Sequence, residues 1–462
     1  MDSVTFDPRK PAAPRSQHAL ARHAKAQGPS WLAFYSVLVV LGLGMGLVLG
    51  LPLVDGTRSE LHVAGGLLMF LGSTTGLIGT YLALVMVVLA SRMPALERML
   101  GQGGVIHWHR RLAPWPLILI AAHAVLLTLA YAQAAKTGPL SELGTIVNTF
   151  PNMITATVAL GLMMLIGLIS IRQIRTRLSR ENWWIVHLFM YVALILSFAH
   201  EVALGPSFVG HPLTQWTWTI AWLAAAALML TYRVAMPIYR TRLHALKVAE
   251  VRVEGPGVIS IILKGKNLER LAIAGGQFFE WRFLTPSMWW QAHPFSVSAL
   301  PKPPYLRLTV QDAGDFTRAL ATLKVGTAVA VEGPYGSFTA FAATRTHALL
   351  IAGGVGVTAA RSLLEDLPAK SRPVVVLRVS REEDLILANE IEELVRHKKG
   401  EVHRLIGHRN QVSLDAIKQL VPDISQRDVF ISGSEGFVTA AVNFAQSAGV
   451  APGAIHQEAY AI

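Results

Sequence analysis

HWHRRLAPWPLILIAAH, residues 107–123, and HLFMYVALILSFAH, residues 187–200, decide the fold. Each belongs to an apolar run long enough to cross a bilayer as a helix, and each carries two well-separated histidines. A histidine inside such a helix is costly unless it has a partner or a task. His109 and His123 lie 14 residues apart, and His187 and His200 lie 13 apart. Neutral imidazoles paired at matched depths suit the axial positions of low-spin haem. The four together read as ligands of two stacked haems in a transmembrane electron conduit.

The rest of the first half supports a membrane setting. Hydrophobic residues make up 52% and charged residues 15% of the 462-residue chain, and the excess is concentrated in 31–236. Six runs, at about 31–51, 61–91, 107–131, 146–171, 184–204 and 215–236, have spanning length. Arginines gather at 92–111 (Arg92, Arg98, Arg110, Arg111) and 172–181 (Arg172, Arg175, Arg177, Arg180), while 52–60 and 132–145 hold one basic residue each and 205–214 none. Cationic loops stay on the cytoplasmic side, so the expected topology has both termini inside. Residues 1–30, with Arg9, Lys10, Arg15, Arg22 and Lys25, are expected to form a mobile basic tail on that side. The first apolar run is too long for a signal-peptide core and reads as a retained span. The net charge of +12 follows this loop pattern and gives no reason to expect nucleic-acid binding. With no cysteine in the chain, disulfides and cysteine-ligated clusters are excluded.

In this topology the third and fifth helices both run outward, placing His109 and His187 at an inner depth and His123 and His200 at an outer one. A 14-residue step rises about 21 Å and returns to nearly the same helix face. Thirteen residues do not, so a bend or local rewinding is expected in the fifth helix. Other readings stay open. Histidines near helix ends can face headgroups, and His123 and His200 could bond across the bundle without metal. His107 rivals His109, at a 16-residue step. His62 and His211 read as surface or access residues. Arg110 and Arg111 suit haem propionates or simply fix topology. Trp108, Trp115, Trp183, Trp184, Trp216 and Trp218 read as interfacial rings, and the glycines of helices 1, 2 and 4 allow either close packing or room for a porphyrin.

From about residue 245 the pattern becomes short alternating runs. HALKVAEVRVEG, VISIILKG, FFEWRFL, YLRLTVQ and TAVAVEGPYG predict the strands of a small antiparallel barrel over 245–340. HALLIAGGVGVTAARSLLEDL then reads strand, glycine turn, helix, and PVVVLRV and DVFISG supply further strands, so 341–462 reads as an α/β nucleotide-binding domain. GGVGVTAAR departs from the dinucleotide fingerprint but suits a pyrophosphate at a helix N-terminus.

These stretches together resemble the ferric reductase and NADPH oxidase superfamily, in particular its compact bacterial members with a ferredoxin-reductase-like domain. The resemblance runs from about residue 30 to the end. It implies a six-helix haem bundle, a flavin barrel and a nucleotide fold. His109, His123, His187 and His200 match the family's ligands of two b-type haems. His293-Pro294-Phe295-Ser296 matches its flavin motif, so the backbone and Ser296 would hold the isoalloxazine of FAD, with His293 beside the ring or its phosphates. Gly314-Asp315-Phe316-Thr317 resembles the segment before the next helix, and Gly333-Pro334-Tyr335-Gly336 the turn linking the lobes. Gly353, Gly354, Gly356 and Thr358 match the nicotinamide-nucleotide loop. Ser380-Arg381 follows the strand where related reductases hold an adenosine 2′-phosphate, which an arginine suits. NADPH is therefore expected over NADH. The bland alternative is a solvated ion pair of Arg381 with Glu382 or Glu383.

Two departures stand out. Ser432-Gly433-Ser434 replaces the family's Cys-Gly-Pro beside the nicotinamide, with Gly433 kept. The chain ends HQEAYAI, so Tyr460 or the terminal Ile462 stands where the family has an aromatic ring on the flavin. The resemblance implies an NAD(P)H-driven relay through FAD and two haems to an acceptor across the lipid bilayer. No acid or base is required of the chain in the haem steps. Dioxygen, giving superoxide, is the first expectation for that acceptor. A ferric chelate is the second and a periplasmic acceptor protein the third. A haem-bearing sensor that only binds nucleotide is the non-enzymatic rival.

Overall fold

The computed structural model describes residues 31–54, 61–408 and 413–460. The basic residues of 1–30 and Ile462 lie outside the described residues. The described residues divide into two compact units, one ending at Val234 and the other beginning at Ala235.

The first unit is helical: α1 (Trp31–Val54), α2 (Gly66–Ala90), α3 (Pro94–Leu112), α4 (Pro114–Ala135), α5 (Pro139–Thr149), α6 (Met153–Ile169), α7 (Arg180–Leu204) and α8 (Pro212–Leu230). Five spans are long and apolar enough to cross a membrane, namely Tyr35–Val54, Gly66–Ala90, Gly104–Ala135, Glu181–Leu204 and Pro212–His244; α5 and α6 make a sixth if that bent pair counts as one. The expected single helix over 146–171 is therefore corrected. It breaks at Phe150–Asn152 with a bend of 116°, because Phe150 is held extended before Pro151 and Asn152 adopts a left-handed φ of 61°. Ala83, Leu84, Met163, Ala193, Leu194 and Ala225 form the centre of the bundle. On α2, a Cβ added at Gly72, Gly76 or Gly79 would come within 3 Å of Leu127, His123 or Ile120, so these glycines serve close approach of α4.

α8 passes through a π-helical turn at Thr231–Ala235 into α9 (Met236–His244). The second unit then builds β1 (Lys247–Gly255), β2 (Val258–Lys264), β3 (Phe278–Phe283), β4 (His293–Lys302), β5 (Tyr305–Gln311), α10 (Asp315–Leu320) and β6 (Val329–Tyr335). The antiparallel sheet has the order β1-β2-β5-β4-β3-β6, and Lys247 bridges back to Ala328 beside β6. Its interior holds Phe279, Trp281, Phe283, Val297 and Leu308, each essentially without exposure. Next come β7 (Ala348–Gly353), α11 (Val357–Asp366), β8 (Val374–Val379), α12 (Ala388–His397), β9 (Glu401–Ile406), β10 (Asp428–Ser434), α13 (Glu435–Ser447) and β11 (Ile455–Tyr460). This sheet is parallel, in the order β11-β10-β7-β8-β9. The strand order reverses between β7 and β10, which puts a ligand crevice at their carboxyl ends.

Candidate functional site

In the helical unit the ring centroids of His109 and His187 lie 6.4 Å apart, and those of His123 and His200 also lie 6.4 Å apart. An iron between two imidazoles needs about 2 Å to each nitrogen and about 1.2 Å more to each ring centre, or about 6.4 Å in all. The residues present therefore fit two bis-histidine haems. Three of the four Nδ1 atoms have partners. His123 Nδ1 meets the Gly72 carbonyl at 2.8 Å, His200 Nδ1 the Ser197 carbonyl at 2.5 Å, and His187 Nδ1 the Ser170 hydroxyl at 3.5 Å. Such contacts fix the tautomer and leave Nε2 for a metal.

The rewinding expected in the fifth helix is absent, since α7 runs unbroken over Arg180–Leu204. The irregularity falls on its partner instead. Pro114 and Pro116 divide the third span into α3 and α4 at Ala113, which re-aims His109 relative to His123. His107 is exposed and sits edge-on to Trp108. His62, His211, Arg110 and Arg111 are exposed too.

Several neighbours escaped the sequence reading. Trp183 stacks on His187 at 4.9 Å and donates to Ser170 Oγ, with the Arg175 guanidinium 4.4 Å from the centre of its ring. Trp218 is buried and donates to Glu201 Oε2 at 3.0 Å; Ser197 and Thr80 donate to Oε1. Neither indole is merely interfacial. The only signal for Glu201 was an acid inside an apolar run. Gly76 is a third case, because a Cβ there would stand 2.5 Å from His123 Nδ1. Gly76→Ala is therefore expected to displace that ring and lower the recovery of haem at the outer pair, read as haem per protein after purification.

In the second unit β4 delivers His293, Pro294, Phe295 and Ser296. Ser296 is buried and its Oγ lies 3.1 Å from Tyr460 Oη, at the end of β11. Tyr460 also meets Thr358, and burial raises its phenol above the ordinary range. Ser296, Thr358 and Tyr460 thus converge from the antiparallel sheet, the glycine turn and the last strand. Phe316 stacks on His293 at 3.7 Å. It lies inside α10, so the segment expected before that helix forms its first turn. Tyr335 donates to Glu332, and Gly336 takes a φ of 96° that favours glycine.

Gly353, Gly354 and Gly356 follow β7 into α11. Gly356 has no room for a Cβ, which would lie 2.2 Å from the Ser432 carbonyl, and Ser432 Oγ donates to the Gly356 carbonyl at 2.8 Å. The serine that replaces the family's cysteine thereby ties the two strand ends, next to Gly433. Ser380 and Arg381 are exposed after β8. Arg381 is held by Asp384, at 3.0 Å, and Glu383, at 2.5 Å. Asp384 was not anticipated as its partner.

Glu458, on the same face of β11 as Tyr460, is partly buried, and desolvation pushes its carboxyl up to about 8. A carboxyl raised on folding stabilises the protonated native state, so its contribution fades as pH rises from the ordinary carboxylate range through about 8. The unfolding midpoint of the native protein should fall over that window more steeply than that of Glu458→Gln.

A helical membrane unit with paired histidines, joined to a reductase-type unit built of an antiparallel sheet and a nucleotide fold, defines the class. Residues 75–198 match the family described as ferric reductase like transmembrane component, and residues 243–339 match the FAD-binding domain family. Flavohemoprotein of Bacillus subtilis is 26% identical over 46% of this chain and 58% of its own length. Respiratory burst oxidase homolog protein D of Arabidopsis thaliana is 26% identical over 40% of this chain and 22% of its own. Ferric/cupric reductase transmembrane component 1 of Candida albicans is 22% identical over 64% of this chain and 38% of its own. The chain thus spans less than two thirds of each of these relatives. These matches support the ferric reductase and NADPH oxidase superfamily, whose transmembrane and FAD-binding parts the chain resembles in turn.

Proposed function

We propose that the chain is a transmembrane NAD(P)H oxidase that carries electrons from cytoplasmic NADPH, by way of FAD and two b-type haems, to dioxygen on the far side of a bacterial inner membrane. The observation that carries this reading is the pair of 6.4 Å histidine contacts in a chain that also holds a reductase-type unit. A flavin takes a hydride and releases single electrons, which is the conversion needed between a nicotinamide and a haem. His109 with His187 would hold the inner haem, and His123 with His200 the outer one. The Nδ1 contacts of His123, His187 and His200 orient their rings. Ser296 and the β4 backbone would position the isoalloxazine, with Tyr460 covering it. Gly353, Gly354, Gly356 and Thr358 would receive the nucleotide pyrophosphate at the start of α11, and Arg381 the adenosine 2′-phosphate. Glu383 and Asp384 already share Arg381, which narrows the margin of NADPH over NADH.

The test is an anaerobic absorbance titration of the FAD-reconstituted protein with NADPH or NADH, followed by air. Haem bands that reduce and then reoxidise with matching superoxide support the oxidase. Reduction without superoxide moves the acceptor to a ferric chelate or a periplasmic protein. Haem that never reduces, in a protein that neither binds FAD nor oxidises NAD(P)H, leaves the sensor reading.

A further inference from the structure

The amino ends of the parallel strands carry a second charged site. His347 precedes β7, Arg372 precedes β8 and Lys399 precedes β9, so the parallel register collects them at one edge of the sheet. With Lys370, His397 and Lys398 they line a cavity of about 520 Å³. The glycine turn after β7 lies at the opposite edge. A six-residue strand at about 3.3 Å per residue separates the two by about 20 Å. Nucleotides bind at the carboxyl ends of such sheets, so this cavity is no part of the nucleotide crevice.

Acids reach only part of this cluster: Asp423 faces His347, and Asp366 and Glu365 face Lys398. Lys370, Arg372, His397 and Lys399 form no ion pair with another described residue. Lys398 is engaged: its Nζ donates to the Leu367 carbonyl, burial lowers its ammonium below the ordinary value, and Asp366 and Glu365 pull the other way. The negative end of α12 accounts for cations at its last turn, such as His397. It does not account for Lys370 and Arg372, which come from the turn after α11. Arg372 and Lys399 both hold left-handed backbones, with φ of 39° and 53°, a costly state for long side chains. Between Lys370 and Arg372, the Ser371 hydroxyl is buried without a hydrogen-bond partner among the described residues.

We infer that this cavity binds a phosphoryl group carrying two or more negative charges. Several cations held together repel one another, and a polyvalent anion removes that repulsion. The guanidinium of Arg372 supplies a planar fork and the lysines supply point charges, the combination that suits phosphate oxygens. The same chemistry is offered by a soluble phosphate compound or by the headgroup of a phosphatidate-like lipid.

The experiment uses the full chain in phosphatidylcholine nanodiscs with NADP+ present throughout. It is titrated calorimetrically with inorganic pyrophosphate and, separately, with short-chain phosphatidate. Saturable binding is expected, weakened about a hundredfold in Lys370→Gln/Arg372→Gln, since each charge-assisted contact is worth about tenfold in affinity. Tighter binding of pyrophosphate identifies a soluble ligand, and tighter binding of phosphatidate a lipid headgroup. Absence of saturable binding with both probes overturns the inference, as does undiminished affinity in a double variant whose thermal unfolding matches the parent.

Discussion

Replacing His123 or His200 with alanine is expected to remove one of two b-type haem components while flavin reduction by NADPH continues. The two rings stand at the separation that an iron with two axial nitrogens requires, so losing either leaves that haem half-ligated in an apolar bundle. The other pair lies 13 or 14 residues away along its helices, about 20 Å, and keeps its own ligands. The reductase unit has its own cores and does not draw on these histidines. Haem per protein, measured as the pyridine haemochrome, should fall by about half relative to a two-haem parent, a stoichiometry that follows from one ligand pair per haem. Delivery of electrons to the far side should fall to background. A full two-haem spectrum in either variant would reject the assignment of the outer pair.

The second large effect concerns stability. Arg307 on β5 donates to both oxygens of Glu390 on α12 at 2.8 Å, and Arg361 on α11 donates to Glu390 Oε2 at 2.8 Å and pairs with Glu365. The two guanidiniums are 1% and 0% exposed, so Glu390→Ala would leave uncompensated charge in the interior. Breaking a buried pair this way costs about 3–5 kcal/mol. For a unit of this size that is a drop of about 10 °C in the unfolding midpoint. Burial opposes ionisation of Glu390, but Arg307 and Arg361 prevail and hold its carboxyl below the ordinary value. Its contribution is thus present above the ordinary carboxylate range and lost as pH falls through the lowered one. Scanning calorimetry of the full chain between neutral and acid pH should show the gap between parent and variant closing. A gap that stays constant would remove the ion pair as its source.

What could be read from the sequence depended on whether a signal was periodic or relational. The apolar runs announced the helical unit, and alternation followed by glycine turns announced the two sheets. The four histidines were visible because a polar group in lipid needs a reason. The break at Phe150–Asn152 was missed although it is written as a proline and an asparagine, since hydropathy passes through it unchanged. Trp183 and Trp218 read as interface rings and Glu201 was passed over; their roles exist only once α2, α6, α7 and α8 are side by side. Glu390 was invisible for the same reason, gaining Arg307 from a distant strand, and Phe316, though named in a motif, gave no sign of its stack on His293. Motif matching found Ser432 as a departure, whereas the coordinates give it a task in holding Gly356.

The bend between α5 and α6 has a consequence for the surrounding lipid. The 17 residues of Met153–Ile169 rise only about 25 Å, several ångströms less than an average hydrocarbon core. The preceding α5, turned by 116°, lies closer to the bilayer plane than to its normal if α6 stands upright, with Leu140 and Leu143 outward on its surface. Acyl chains beside this corner must shorten or splay to meet it, at a fraction of a kcal/mol per ångström of mismatch. At this one corner a thinner bilayer would be met at lower cost than a thicker one, so lipid chain length acts locally on α6.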